Sequence, residues 1–126
     1  MNSTLITIAM GILTAFFLFA SSIKILGWQK FIFETQLKMF IKYGLNRTLM
    51  ALIGFVELFG AIALWLPKYL SLLGAFALFG TSAGAIFFHL KFDTWKDGIP
   101  AMITLVLSGL VIFVKHSTTI LQLISI

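Results

Sequence analysis

Apolar residues in this chain come in blocks long enough to cross a bilayer, and polar residues fall between the blocks or at isolated points inside them. Four blocks stand out, at residues 5–23, 48–66, 70–90 and 99–115. At ~1.5 Å of rise per residue, about twenty apolar residues cover the ~30 Å hydrocarbon core, so the pattern predicts four membrane-spanning helices. The punctuation agrees: Pro67 and Lys68 close the second block, and Asp97, Gly98 and Pro100 stand at the start of the fourth. The fourth block is short. It is expected either to continue through Lys115 and His116 into the apolar tail at 117–121 or to be poorly tilted. No Lys or Arg precedes the first block, as a cleaved signal peptide would require, so a retained helix is expected there.

The connection at 27–46 is more than a linker. Lys30, Glu34, Lys38 and Lys42 recur every fourth residue as a narrow polar ridge with ion-pair spacing. Trp28, Phe31, Phe33, Leu37, Phe40 and Ile41 cover most of the remaining surface. Such a segment lies in the headgroup region or folds back on the bundle. It reads first as an interfacial connector, and beside that as a lid over an inner cavity or a docking surface for a partner. Gly44 is expected to end it and Asn46 to cap the second span. Asn2 and Asn46 also begin N-x-Thr triplets, one at the terminus and one on the side read as cytoplasmic, so neither is taken as a modification site.

Composition fixes the class. Hydrophobic residues make up 60% of 126 positions and charged ones 10%, with a mean hydropathy of +1.09, so the fold class is all-α, an integral membrane four-helix bundle with an interfacial segment between the first two spans. One bundle, 1–126, is the expected domain organisation, with no internal repeat. The chain has no cysteine and so no thiol chemistry of its own, and its two histidines, His89 and His116, are too far apart in sequence to suggest a metal. The net charge of +5 comes from residues flanking the spans, which points to anionic lipid headgroups rather than nucleic acid. Lys24, Lys30, Lys38, Lys42, Arg47, Lys91 and Lys96 fall on one side, against Lys68 and Lys115 on the other. The positive-inside rule therefore places loops one and three in the cytoplasm of a multi-pass cell-membrane protein.

The polar residues inside the spans carry the candidate chemistry. Glu57 lies ~14 Å into the second block, near the midplane, where an acidic residue costs ~2.5 to 3.5 kcal/mol on insertion scales. It should be turned inward, paired or protonated. Gly54, Gly60 and Ala61 share its face at spacings of three and four. Gly74, Thr81, Ser82, Ala85 and His89 make one arc of the third span, Ala101, Thr104, Ser108 and Lys115 one of the fourth, and Lys24 ends the first on the face of Ala20 and Ser21. Four small or polar stripes of this kind associate helices in lipid and would wall a common polar interior. Lys24 and His89 sit ~12 to 15 Å from Glu57 in depth by helix rise, so direct pairing needs the lysine to snorkel downward or a span boundary several residues away from the expected one, and a Thr, Ser and water path is the other possibility. Each residue also has a plainer reading: Glu57 as a packing group, His89 as an interfacial histidine, Lys24 and Lys115 as snorkelling anchors. Trp28, Trp65 and Trp95 stand at span ends, where aromatic belts form.

Several segments together resemble the DoxX-like family of small four-helix membrane proteins. They are Phe19-Ala20-x-x-x-Lys24, Tyr43-Gly44-Leu45, Ile53-Gly54-x-x-Glu57-Leu58-x-Gly60-Ala61-x-x-Leu64 and Ala85-x-x-x-His89-Leu90. The resemblance covers nearly the whole chain. It implies association with membrane redox systems, in which relatives include a thiosulfate:quinone oxidoreductase subunit and a redox-stress complex, and the animal nicotinic-receptor assembly chaperone NACHO is similar in outline. By carry-over onto matching positions, Lys24, Glu57 and His89 form the polar set, with Gly54, Gly60, Thr81 and Ser108 in support. The chain departs from any thiol-redox role, and it carries no haem-ligand pair spaced across two helices.

Three functions follow as expectations. The first is a non-enzymatic or accessory bundle binding a small hydrophobic or quinone-like ligand, with quinone the candidate cofactor. The second is an assembly factor offering its intramembrane polar face to another membrane protein. Transport ranks third, because four short helices leave little room for alternating access without a homo-oligomer.

Overall fold

A computed structural model describes residues 3–116. Within them the chain forms helices α1 (Ser3–Leu26), α2 (Lys30–Lys42), α3 (Arg47–Ala63), α4 (Lys68–Phe92) and α5 (Ile99–Leu110). A 3-10 turn, Trp95–Gly98, leads into α5 and a π turn, Val111–Lys115, leads out of it. The apolar tail at 117–121 and Asn2 lie outside the described residues. The stretches Thr4–Leu26, Tyr69–Phe92 and Trp95–Lys115 are each long and apolar enough to cross a membrane. With 17 residues, α3 reaches ~25 Å, and it passes the same test when joined to α2.

The chain turns through 113° between α2 and α3, which lays α2 across one end of the bundle rather than along it. The sequence dictates that corner. Gly27 (φ +67°) and Gly44 (φ +85°) stop α1 and α2 in the left-handed region that a side chain disfavours. Gln29 caps α2 by accepting from the Ile32 amide at 3.0 Å, and Asn46 caps α3 by accepting from Leu49 at 2.9 Å. Arg47 donates through Nη1 to Lys24 O (2.7 Å) and through Nη2 to Ile25 O (2.8 Å), satisfying carbonyls that α1 leaves open at its end. No residue of α2 is buried, as befits an interfacial helix.

Several boundaries differ from the sequence expectation, and two of the differences have a clear local cause. The second span leaves the helix at Ala63 rather than at 66. The position before Pro67 disfavours helical backbone, and Ser71 Oγ instead donates to the freed Leu64 carbonyl at 2.7 Å. The fourth span gains its length at its start, through the 3-10 turn capped by Thr94 and Asp97. Pro100 sits in the first turn of α5, where a missing amide costs nothing.

Around the bundle α1 packs on α3, α3 on α4, and α4 on α5. The half nearest Pro67 is close-packed: Ile6, Met10, Leu13, Ala61, Leu64, Ala75, Leu78 and Val111 form its core. Lipid gives no hydrophobic drive for this contact, so backbone approach must supply it. A Cβ on Gly60 would stand 2.7 Å from Leu78 Cδ2, and one on Gly74 would stand 2.7 Å from the Leu64 amide nitrogen. These two glycines clamp α3 to α4. The half beneath α2 is different, because it is hollow.

Candidate functional site

The hollow half contains a cavity of about 790 Å³ walled by α1, α3, α4 and α5 and covered by Gln36, Met39 and Phe40 from α2 and by Tyr43 just after it. Lys24, Glu57 and His89 all line it, as do Thr81 and Thr104. The rest of the wall is aromatic or small, with Phe17, Phe88, Gly80, Gly84 and Ala85 among its members.

Lys24 Nζ lies 3.0 Å from Glu57 Oε1, with side chains only 11% and 6% exposed. Helix rise alone had put these groups nearly half the ~30 Å hydrocarbon core apart. Two features close the distance. Gly54 lets α1 and α3 meet so closely that a Cβ there would stand 2.9 Å from Lys24 Cβ, which sets Lys24 level with a residue one turn, ~4.5 Å, from Glu57. Helical side chains also lean toward their own N-terminus. In antiparallel α1 and α3, the lysine and the glutamate therefore lean toward each other. The expected boundary is too early, since α1 runs on to Leu26 rather than ending at 23, and the lean of the lysine closes the rest of the gap without a water path.

His89 stands on a different wall and does not join this pair. Its Nδ1 lies 3.1 Å from Asp93 Oδ2 and 3.2 Å from Tyr43 Oη. The Tyr43 hydroxyl donates to the same Asp93 oxygen, and Lys42 Nζ reaches Asp93 Oδ1 at 2.6 Å. A carboxylate held to Nδ1 orients the ring and leaves Nε2 as the nitrogen that can serve the cavity. The Tyr43 ring stacks on Phe88 with centroids 5.1 Å apart. Together these contacts latch the end of α2 onto the end of α4. Lys42 foremost, then Tyr43 and His89, hold the Asp93 carboxyl down at about 2, while burial, followed by the Asp93 carboxylate, pushes the Tyr43 phenol above its ordinary value.

The supporting residues divide. Gly54 and Gly60 act through helix contact, as above. Thr81 faces the cavity while its hydroxyl donates to Leu78 O at 3.0 Å. Ser108 is buried and bonded to its own helix through Thr104 O at 2.7 Å; it lies outside the cavity wall. Ser82 and Thr104 join α4 to α5 at 2.7 Å.

Sequence reasoning passed over three participants. Asp93 carried no motif, and only its partners in space make it the anchor of the latch. Gln36 was one polar residue on a mixed helix, yet its amide oxygen is buried without a hydrogen-bond partner in the cavity roof. At the far end of the bundle, Ser71 Oγ meets His116 Nε2 at 3.0 Å and Lys115 Nζ at 3.3 Å. Because that hydroxyl already donates to Leu64 O, it accepts from both, and the group ties three chain segments together rather than activating a nucleophile. Among the described residues no group of three or more His, Asp or Glu is placed to hold a metal.

The arrangement supplies a fixed ammonium and carboxylate on one wall and an oriented imidazole on another, in a chamber otherwise apolar. No curated protein and no solved structure matches the chain. The family model described as the DoxX-like family matches residues 8–112, a stretch that holds every residue lining the cavity, and the chain belongs to the DoxX-like family.

Proposed function

We propose that this bundle is a non-enzymatic accessory subunit that holds a small hydrophobic, quinone-like molecule in its cavity on behalf of a membrane redox partner. The observation that supports it is the placement of Lys24, Glu57 and His89 on the wall of one 790 Å³ chamber, a volume within the ~300 to 1,000 Å³ of sites for drug-sized ligands. Such a ligand is flat and apolar with an oxygen acceptor at each end. Phe17 and Phe88 suit its ring faces. Lys24 can donate to one carbonyl oxygen, and His89, as the imidazolium with Nδ1–H on Asp93, can donate from Nε2 to the other and give up that proton as the partner supplies the electrons. With loops one and three in the cytoplasm, the latched end of α2 faces that side.

The test is extraction of quinone from the purified protein, paired with titration by a short-chain benzoquinone followed as thermal stabilisation. At a hundred times Kd a specific ligand adds ~2.7 kcal/mol, and Glu57→Gln or His89→Ala should weaken it. Repeated extracts free of quinone, with no stabilisation of the wild type, would overturn the assignment.

A further inference from the structure

The surroundings of the glycines on α3 and α4 change along the length of the two helices. They are clamped at Gly60 and Gly74, where an added Cβ would collide with the opposite helix. Moving toward α2, the antiparallel helices bring Glu57 past Ala77, then Val56 and Ile53 past Gly80 and Gly84. All six of these residues line the cavity. Gly80 is exposed and Gly84 half-buried, and a Cβ built on either meets nothing within 4 Å, so beyond the clamp the cavity lining on this stretch of α4 lies open beside α3. Val56 and Phe76, at the lips of this cleft, line the cavity and are 43% and 47% exposed. In a span, that exposure is to acyl chains.

Glycine inside a helix costs ~1 kcal/mol relative to alanine, and at Gly74 the gain is close helix contact. At Gly80 and Gly84 no protein group uses the space. A partner helix fits the cleft badly: at ~10 Å across and ~5.4 Å per turn, about two turns would fill the whole 790 Å³, inner chamber included. A single hydrocarbon chain fits it well. The polar groups lie inward, with Lys24 and Glu57 on the wall and the unpartnered Gln36 amide oxygen in the roof, while the cleft is apolar.

We propose that the cavity takes its ligand from the bilayer through the cleft between α3 and α4, and that the ligand is a single-tailed amphiphile. Its polar head lies among Lys24, Glu57 and Gln36, and its alkyl or isoprenoid tail runs out across Gly80 and Gly84. This rests on the cavity being a ligand site, as proposed above, but not on the head being a quinone.

The experiment uses the full chain in lipid nanodiscs with Gly80→Leu and Gly84→Leu, which place a side chain where space is open and leave the clamp untouched. Three probes are titrated: a decyl-tailed benzoquinone, the same ring without a tail, and a fluorescent single-chain alcohol. The tailed quinone should bind wild type about tenfold tighter than the bare ring, and each leucine should remove about that factor, the equivalent of roughly two buried methylenes, while the bare ring binds as before. Unchanged binding of the tailed quinone in both variants overturns the cleft, as does equal loss of bare and tailed rings. If neither quinone binds wild type, the quinone reading falls alone, and the alcohol decides: Gly80- and Gly84-dependent binding upholds the cleft, and its absence overturns it.

Discussion

Replacing Lys24 by methionine leaves the Glu57 carboxylate without its partner at a depth from which it has no way out. Glu57 lies ~15 Å from the start of α3 and ~9 Å from its end, and a glutamate side chain reaches neither interface. Replacing Glu57 by glutamine strands the lysine instead. Lys24, however, is two residues from the end of α1, and its long stem can swing back to the headgroups. Breaking a buried pair by removing one member costs ~3 to 5 kcal/mol. Lys24→Met should therefore sit near ~4, and Glu57→Gln, with its escape route, nearer ~2. The double variant removes both charges and should cost only ~2 to 3, against an additive sum of ~6, because the two sites are coupled. Unfolding by SDS titration in mixed micelles, followed by the fluorescence of Trp28, Trp65 and Trp95, measures all four states. A double variant at the additive sum would refute the pairing. A Glu57→Gln loss as large as that of Lys24→Met would refute the depth argument.

The two kinds of glycine should separate cleanly. Gly54→Ala and Gly74→Ala force a Cβ to within 2.9 and 2.7 Å of the facing helix and should cost ~1 to 3 kcal/mol, whereas Gly80→Ala should stabilise by up to ~1 kcal/mol, and the same SDS titration ranks them. Because the chain has no cysteine, Met39→Cys reports on the lid alone. Its labelling by a water-soluble maleimide should be slow in an otherwise wild-type background and several-fold faster with Asp93→Asn, and equal rates would mean that the latch does not hold α2. The same label tests the latch against pH. The Asp93 carboxyl is held below its ordinary 3.8, at about 2, so its contribution is complete above the ordinary value and lost as pH falls between the two. The difference in labelling per unit of thiolate between wild type and Asp93→Asn should persist from neutral to mildly acidic pH, and its loss above the ordinary carboxylate range would count against Asp93 as the anchor.

Much of the frame could be read from the chain before its coordinates. The apolar blocks fixed the all-α membrane class, Asn46 its cap, Gly44 its stop, and the spacing of Gly54, Glu57 and Gly60 a single inward face. What escaped depends on register between helices, which no periodicity encodes. Lys24 looked too shallow for Glu57 because depth was counted along each helix separately. The level at which α1 meets α3 is set by the Arg47 bonds to Lys24 and Ile25 and by the missing Cβ of Gly54. Asp93 and Tyr43 are 50 residues apart in sequence, and each alone reads as a helix-end residue. The 3-10 turn Trp95–Gly98 extends the fourth span at its start, where Asp97 and Gly98 read as punctuation between spans.

The two halves of the bundle have opposite requirements, and the chain meets both with glycine. In lipid, helices hold together through backbone approach and scarce polar bonds, so a bundle with an empty centre must concentrate its cohesion elsewhere. The clamp at Gly60 and Gly74 and the Ser71, Lys115 and His116 group do this at one end, and the Arg47 and Asp93 contacts do it at the other. Between them the ion pair stands at the boundary of the packed and hollow halves, where it joins α1 to α3 and also presents charge to the chamber. A core hydrocarbon pair such as Leu and Met would join the same helices with less desolvation. The presence of a lysine and a glutamate on a cavity wall is therefore better accounted for by the proposed ligand than by the stability of the bundle, and the double variant should keep most of its fold while losing any binding of the quinone probe.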